Sequence, residues 1–284
     1  MNIRRYQRDD LHKLFEYWRK VGADIPYFFA VSAPKWQTSL LKDKLGSERI
    51  FKSLETYFAT EGGQVLGFVQ YGQPNFAWDE NGQKYYNPKI GIIRHLYFEK
   101  ERSDVGEALL AKAGDHLASF EQNYAFYHIF GMSCNAHHGK LHSSQSHVEQ
   151  LLQAHSFRIE HENAYYVLDM RCITPAGNSQ LHLCSIPRSS EEKFEVHVNV
   201  EVVGTAQVKY LTRNTAYLTW IGVVERYRSQ GIGREFIKLL TQFLLSKQYH
   251  YLHTDTASDN VPAQQLYKTL GFQKEGCTRS YIQV

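Results

Sequence analysis

Six consecutive residues, Arg228-Ser229-Gln230-Gly231-Ile232-Gly233, have the make-up of a phosphate-binding turn. They lie between an apolar run, Ala216 to Val224, and an amphipathic run, Ile232 to Leu245, so the order reads strand, turn, helix start. Two closely spaced glycines let the backbone approach a ligand and take conformations that a Cβ blocks. The first amides of the helix have no intrahelical acceptor and sit at the positive end of its dipole, which suits a phosphate. Turns of this kind also start helices that bind nothing, so the pattern needs support from its surroundings. Two other sets of reactive residues have less support. His137, His138, His142 and His147 include a pair one helical turn apart, but no Cys, Asp or Glu stands at matching spacing, and no metal is expected. Cys277 is a thiol with no recognisable partner base.

The elements that must carry this turn follow from periodicity. Asp9 and Asp10 precede Leu11, Leu14, Phe15 and Trp18, the spacing of an amphipathic helix with acidic residues at its positive end. Tyr57 to Ala59 and Val65 to Tyr71 flank Glu61-Gly62-Gly63-Gln64 and predict a hairpin. A strand at Ile90 to Phe98, a helix from Val105 to Phe120, a strand at Tyr124 to Met132, a helix from His147 to His155 and a strand at Tyr165 to Met170 follow. Thr174 to Ser179 reads as a linker. Beyond it, strands at Phe194 to Val203 and Thr205 to Leu211 flank Gly204, and the strand from Ala216 leads into the turn. A strand at Tyr249 to Thr254, a helix from Pro262 to Leu270 closed by Gly271 and a last strand at Thr278 to Val284 complete the order. Gly106 answers Gly233, and Ser156-Phe157 answers Gly271-Phe272, so the chain has the look of a divergent duplication. The expected architecture is mixed α/β in two domains, 1–171 and 180–284, each a mostly antiparallel mixed sheet flanked by helices.

Composition narrows the class. Hydrophobic residues at 43% and aromatics at 14%, with 19 Tyr and 16 Phe among 284 residues, describe a globular chain with aromatic cores. A net charge of +3, evenly spread, does not call for nucleic acid. No apolar run approaches the roughly 20 residues that span a bilayer, and the first residues lack an apolar signal core, so a cytoplasmic protein without membrane contact is expected. Cys134, Cys172, Cys184 and Cys277 are widely separated and read as reduced thiols.

With both ends of the second half in view, that half resembles the GCN5-related N-acetyltransferase (GNAT) family. Arg228, Gly231 and Gly233 fill the fixed positions of the family's Arg/Gln-x-x-Gly-x-Gly/Ala pyrophosphate loop. Asn260, Ala263, Leu266, Tyr267, Gly271 and Phe272 match its second motif, Asn-x-x-Ala-x-x-Leu-Tyr-x-x-x-Gly-Phe. The resemblance implies acetyl-CoA as cosubstrate, its pyrophosphate on the amides of Gln230, Gly231, Ile232, Gly233 and Arg234, with Arg228 and Ser229 also in the cofactor-binding loop. Its pantetheine arm is expected along the strand ending at Val223 and Val224, with a backbone N–H near Val223 polarising the thioester, and with Asn260 contributing to cofactor binding. Tyr267 would protonate the leaving thiolate; on its residue pattern alone it is equally a core aromatic. Direct attack by a primary amine of a small molecule or peptide is implied. Among Glu201, Glu225, Asp255 and Asp259 no general base stands out. The alternative is a non-catalytic acyl-CoA-binding or sensing module that serves a protein partner; oligomeric state is left open.

The first half departs from the family pattern. In Glu101-Arg102-Ser103-Asp104-Val105-Gly106 only Gly106 is retained, and carboxylates stand where the loop needs Arg or Gln and its first Gly. Leu152 stands where the second half has Tyr267. A degenerate domain that does not bind acetyl-CoA is expected there, because carboxylates beside a pyrophosphate repel it.

Overall fold

The computed structural model describes residues 1–29, 31–42, 44–45, 48–78, 83–87, 89–127, 130–132, 139–177, 180–188 and 191–284. The fold is mixed α/β, with six α-helices among the described residues. Its contacts divide the chain into two units, Met1–Glu162 with Thr278–Val284, and Asn163–Cys277. The boundaries expected at 171 and 180 both fall inside the second unit, because the divisions lie within two long strands rather than at the polar linker.

In unit 1, β1 (Asn2–Arg5) is followed by α1 (Leu11–Gly22), α2 (Ala33–Leu40) and the short pair β2 (Lys44–Leu45) and β3 (Glu48–Arg49). Then come β4 (Phe51–Glu61), β5 (Gln64–Pro74), the short pair β6 (Ala77–Trp78) and β7 (Lys84–Tyr85), and β8 (Ile90–Phe98). The unit continues with α3 (Ser103–Leu117), β9 (Gln122–Ala125), β10 (Leu141–His142), α4 (Ser146–Ala154) and the start of β11 (Phe157–Asp169). The β4–β5 hairpin turns at Gly62 and Gly63, with φ of 56° and 83°. Its sheet runs β1, β4, β5, β8, β9 and then the last residues of β17 (Gln273–Gln283), where Tyr281 and Ile282 pair with Ala125 and Tyr124. The aromatic residues near the first helices form core: Trp36 is fully buried, with its ring centroid 5.6 Å from Phe15 and 5.8 Å from Trp18.

In unit 2, β12 (Leu181–Pro187), β13 (Glu192–Val198), β14 (Glu201–Tyr210) and β15 (Thr215–Val223) form an antiparallel meander. α5 (Ile232–Ser246) leads to β16 (Tyr251–Ala257), which runs parallel to β15 and pairs on its other side with Asn163–Asp169 of β11. α6 (Val261–Thr269) and the start of β17 follow. The β13–β14 turn falls at Asn199, with φ of 53°, and not at Gly204, which lies within β14 opposite Val223. Asparagine takes the left-handed region more readily than most side chains, which lets it hold a turn that glycine would otherwise mark. Phe236, Ile237, Leu240 and Leu244 of α5 pack with Ala216, Leu218, Leu252, Tyr267 and Phe272 in one core. Unit 1 ends α4 with Ser156 at φ 65°, and unit 2 ends α6 with Gly271 at φ 88°, so the two positions matched in sequence hold the same left-handed cap.

Candidate active site

The site in unit 2 begins with a break in the sheet. β15 and β16 pair from Thr215–Tyr251 to Leu218–Thr254 and no further. At that point β15 carries a bulge: Leu218 faces Val208 and Trp220 faces Gln207, leaving Thr219 unmatched, with its hydroxyl 3.2 Å from the Gln207 carbonyl. A bulge bends its strand and sharpens the local twist, which accounts for the separation. It also switches the side chains between faces. Ala216 and Leu218 pack in the helix-side core before it, and Ile221 packs there after it, so Trp220 is left 58% exposed on the other face with its indole over Gly222.

The bulge also decides what the open edge presents. The Val224 amide donates to Val203 at 2.9 Å, which makes Gly204–Val223 and Ala206–Ile221 non-hydrogen-bonded pairs. The peptide groups of Ile221 and Val223 therefore point away from β14 into the gap. Arg228 Nε takes the Val223 carbonyl at 3.1 Å, and the Val223 N–H is left facing the gap.

The loop follows at once. Ser229 and Gly231 have φ of 61° and 80°, and Gly231 is the N-cap of α5. A Cβ at Gly231 would meet nothing within 4 Å, so glycine is needed there for its backbone angle and not for space. Among the described residues, the amides from Ser229 to Arg234 have no hydrogen-bond acceptor; the first amide bonded back to the turn is that of Glu235, to the Gly231 carbonyl at 3.1 Å. The loop is held from behind: Arg226 pairs with Glu201, Tyr227 donates to Glu201 at 2.7 Å, and Gln230 Nε2 donates to the Arg226 carbonyl at 2.8 Å. Glu201 is thereby committed to the loop.

Tyr267 is 4% exposed, between Tyr166 and Phe272. Burial pushes its hydroxyl pKa above the ordinary tyrosine value, opposed by a hydrogen bond with Thr254, the residue at which β16 leaves β15. The hydroxyl thus sits at the head of the gap and keeps its proton. Asn260 is the N-cap of this helix: its Oδ1 accepts from the Ala263 amide at 3.3 Å and its Nδ2 donates to Thr256 Oγ1 at 3.1 Å. On the opposite face of the sheet, Asp255 accepts from Tyr217 and from Asn163 Nδ2, and Tyr165 meets His253 Nδ1 at 2.9 Å. Glu225 and Asp259 are exposed. His142 Nδ1 is 2.9 Å from Ser144 Oγ and His147 Nε2 is 3.0 Å from the Phe98 carbonyl, while His137 and His138 lie outside the described residues. Among the described residues there is no group of three metal-ligating side chains.

Sequence reasoning missed the bulge, though a signal was present: apolar positions shift from even to odd between Leu218 and Ile221. It also missed Arg94. In unit 1, β8 and β9 pair from Ile90–Gln122 to Ile93–Ala125 and then part, with Arg94 as the unmatched bulge residue between Gln70–His95 and Tyr71–Ile93. Arg94 is 3% exposed and donates to the carbonyls of Phe130 (2.5 Å), Leu40 (2.9 Å), Gly131 (3.0 Å) and Ser39 (3.4 Å) and to Gln70 Oε1 (3.0 Å). At the start of α3, the Arg102 guanidinium donates to the Asp104 carboxylate at 2.8 and 2.9 Å and holds its carboxyl below the usual range. A carboxylate of the chain itself thus stands at the helix start, and the Val105 and Gly106 amides bond back to the Arg102 carbonyl at 3.0 and 3.2 Å. Gly106 survives for packing, since a Cβ there would come within 2.7 Å of the Phe98 ring.

Comparison with known proteins agrees with this geometry. Residues 157–272 match the profile described as Acetyltransferase (GNAT) family. The match takes in nearly all of the second unit, and both motifs lie on the elements just described. N-acetyltransferase 8B of Homo sapiens is 31% identical over 110 residues, 38% of this chain and 46% of that protein. N-alpha-acetyltransferase RimI of Mycobacterium tuberculosis is 31% identical over 86 residues, 29% of this chain and 52% of that protein. The matches thus span about half the length of these relatives. Among solved structures, a tandem GNAT protein from the clavulanic acid biosynthesis pathway superposes with a TM-score of 0.65 at 13% identity, covering 99% of this chain and 97% of its own. A GCN5-related N-acetyltransferase from Sphaerobacter thermophilus gives 0.63 at 10% identity, covering 99% and 95%. Both likenesses concern the fold, and they extend over the whole chain.

Proposed function

We propose that unit 2 is an acetyl-CoA-dependent N-acetyltransferase acting on a primary amine of a small molecule or peptide. The observation that carries this reading is the conjunction of an open strand edge at Ile221 and Val223 with a row of uncommitted amides from Ser229 to Arg234. The amides and the positive end of α5 suit a pyrophosphate. The edge suits an amide-bearing arm added as an extra strand. Arg228 contributes by fixing the Val223 carbonyl, so that the Val223 N–H is aimed at a developing oxyanion. Asn260 contributes by setting the start of α6 and so the height of Tyr267. Acetyl-CoA supplies an activated thioester. The neutral amine nitrogen bonds to the carbonyl carbon, the C–S bond breaks, and the Tyr267 hydroxyl gives its proton to the departing sulfur. The amine proton leaves through solvent or a carboxylate.

We assign no acetyl-CoA to unit 1, where Asp104 already occupies the helix start and Arg94 fills the bulge. The engagement of Glu201 and Asp255 by other side chains favours a second reading, an acyl-CoA-binding module without turnover. Release of free thiol from acetyl-CoA over a panel of amines, peptides and aminoglycosides separates the two. Turnover with any acceptor supports the transferase; tight acetyl-CoA binding with none supports the binding module.

A further inference from the structure

Trp220 is 58% exposed, on a strand whose first four residues are all buried. A single exposed apolar residue is ordinary on a protein surface, so its place in the fold matters more than its exposure. It comes directly after the bulge residue Thr219, where β15 has left β16, and its side chain is on the face opposite the helix-side core. The indole is folded forward along the strand: Cζ2, Cε2 and Nε1 come to 3.2, 3.4 and 3.4 Å from the point where a Cβ at Gly222 would stand. Glycine at 222 leaves the room that this placement takes. The ring therefore lies beside the stretch from Ile221 to Val223, whose peptide groups face the gap.

That stretch is where a thioester carbonyl would accept from the Val223 N–H, and the direction of attack follows from it. An arm added beside β15 directs this carbonyl along the plane of the sheet, so the two sides of the carbonyl carbon face the two sides of the sheet. A nucleophile bonds to such a carbon from above or below its plane. On the helix side stand Ile221 and the buried Tyr267. The amine is thus left the other side, where the indole lies. Its partners on β14 are uncharged: Gln207 is opposite Trp220 and Thr205 is opposite Gly222. On the next strand Glu195, opposite Thr205, pairs with Lys193 at 2.7 Å and lies 3.3 Å from His197. Asp255, on the same face of β16, accepts from Tyr217 and Asn163. A flat apolar surface among uncharged neighbours suits a planar apolar group, and pairing between aromatic rings adds to the area buried.

We propose that Trp220 is the acceptor platform of unit 2, taking a flat aromatic body whose primary amine, on a short chain, is then held toward the carbonyl carbon. The inference rests on the transferase reading of this unit and narrows its acceptor to an arylalkylamine, as against an extended polyamine.

The test uses the full chain saturated with CoA, titrated calorimetrically with 2-phenylethylamine and, separately, with spermidine. Saturable binding of 2-phenylethylamine, at least tenfold tighter than spermidine, is expected. Trp220→Ala should weaken it roughly tenfold, the worth of one aromatic contact, whereas Trp220→Phe should stay within about threefold of the parent. In turnover with acetyl-CoA, Trp220→Ala should raise the KM for 2-phenylethylamine by a similar factor with little change in kcat. Absence of saturable 2-phenylethylamine binding, a preference for spermidine, or equal affinity in Trp220→Ala overturns the platform. Binding that depends on Trp220 but yields no thiol from acetyl-CoA removes the transferase reading and leaves the platform standing. Thiol release from amines whose kcat/KM is unmoved by Trp220→Ala does the reverse.

Discussion

Thr219 and Arg94 are the same position in two copies of one fold. Each is the residue left unmatched immediately after the last parallel pair, Leu218–Thr254 in unit 2 and Ile93–Ala125 in unit 1. The bulge is common to both, and what the side chain does there differs. Threonine turns back onto its neighbour's carbonyl and leaves the gap open, whereas arginine gathers four carbonyls and an amide oxygen. Divergence between the copies is thus concentrated where the substrate would lie.

The loop should be sensitive to charge and tolerant of bulk. Gly231→Asp is expected to weaken acetyl-CoA roughly 10- to 100-fold by placing a carboxylate beside the pyrophosphate. At φ of 80° it also costs about 1 kcal/mol in backbone strain, so a modest fall in melting temperature should accompany it. Gly233→Ala places a Cβ at ordinary contact, 3.5 Å from Leu266 and 3.7 Å from Val223, and should bind acetyl-CoA almost as the parent does. Calorimetry on both variants checks the pair, and the parent stoichiometry should be one acetyl-CoA per chain.

Tyr267→Phe should lower kcat by roughly 100- to 10,000-fold with little change in KM for acetyl-CoA. Burial raises the Tyr267 pKa, so the parent keeps its acid through neutral pH and loses it only as pH rises through that elevated value. The variant should lack this alkaline limb. Turnover equal to the parent at every pH would show that the sulfur takes its proton from water.

Arg94→Met should destabilise the protein by about 2–4 kcal/mol, because buried carbonyls lose a charged donor. It should not create a second acetyl-CoA site, since the Asp104 carboxylate still stands at the start of α3 and the Val105 and Gly106 amides are taken by the Arg102 carbonyl. Urea unfolding and a repeated stoichiometry measure the two halves of this statement.

His253 sets a pH dependence of folding. Burial lowers its pKa to about 4, against an ordinary value of 6.5. Above pH 6.5 both folded and unfolded chains hold it neutral; between pH 6.5 and about 4 only the unfolded chain takes up the proton, so stability falls as pH falls. The loss across that window is about 3 kcal/mol. Urea midpoints measured from pH 7 to pH 4 should fall less steeply for His253→Gln than for the parent.

Much of this architecture is legible in the residues. The hairpin at Gly62-Gly63, the strand Ile90–Phe98, the helix from Ile232 and the cap at Gly271 follow from periodicity and from glycine at left-handed positions. The loop Arg228–Gly233 is legible because a backbone angle and a charge pattern coincide there. The bulges were not, since one unmatched residue leaves only a shift of parity, and β12 was missed because Leu181–Pro187 alternates too weakly to signal a strand. Arg94 sits in an apolar strand, where a single basic residue gives no hint of five acceptors drawn from distant segments. The commitment of Asn260 to its helix cap is invisible in a motif, which records that an asparagine is present and not which of its atoms are in use.

Thr278–Val284 belong to unit 1 although all of unit 2 precedes them in the chain. They pair with β9 and β10, and Arg279 reaches Glu149 at 2.7 Å and Glu162 at 2.6 Å. During synthesis, then, the unit begun first is closed last, and its Leu141 and Tyr124 edges wait for a strand that emerges only after the catalytic candidate has been made. A gene cut anywhere between the units yields two incomplete halves, which ties the plugged copy and the open one to a single inheritance.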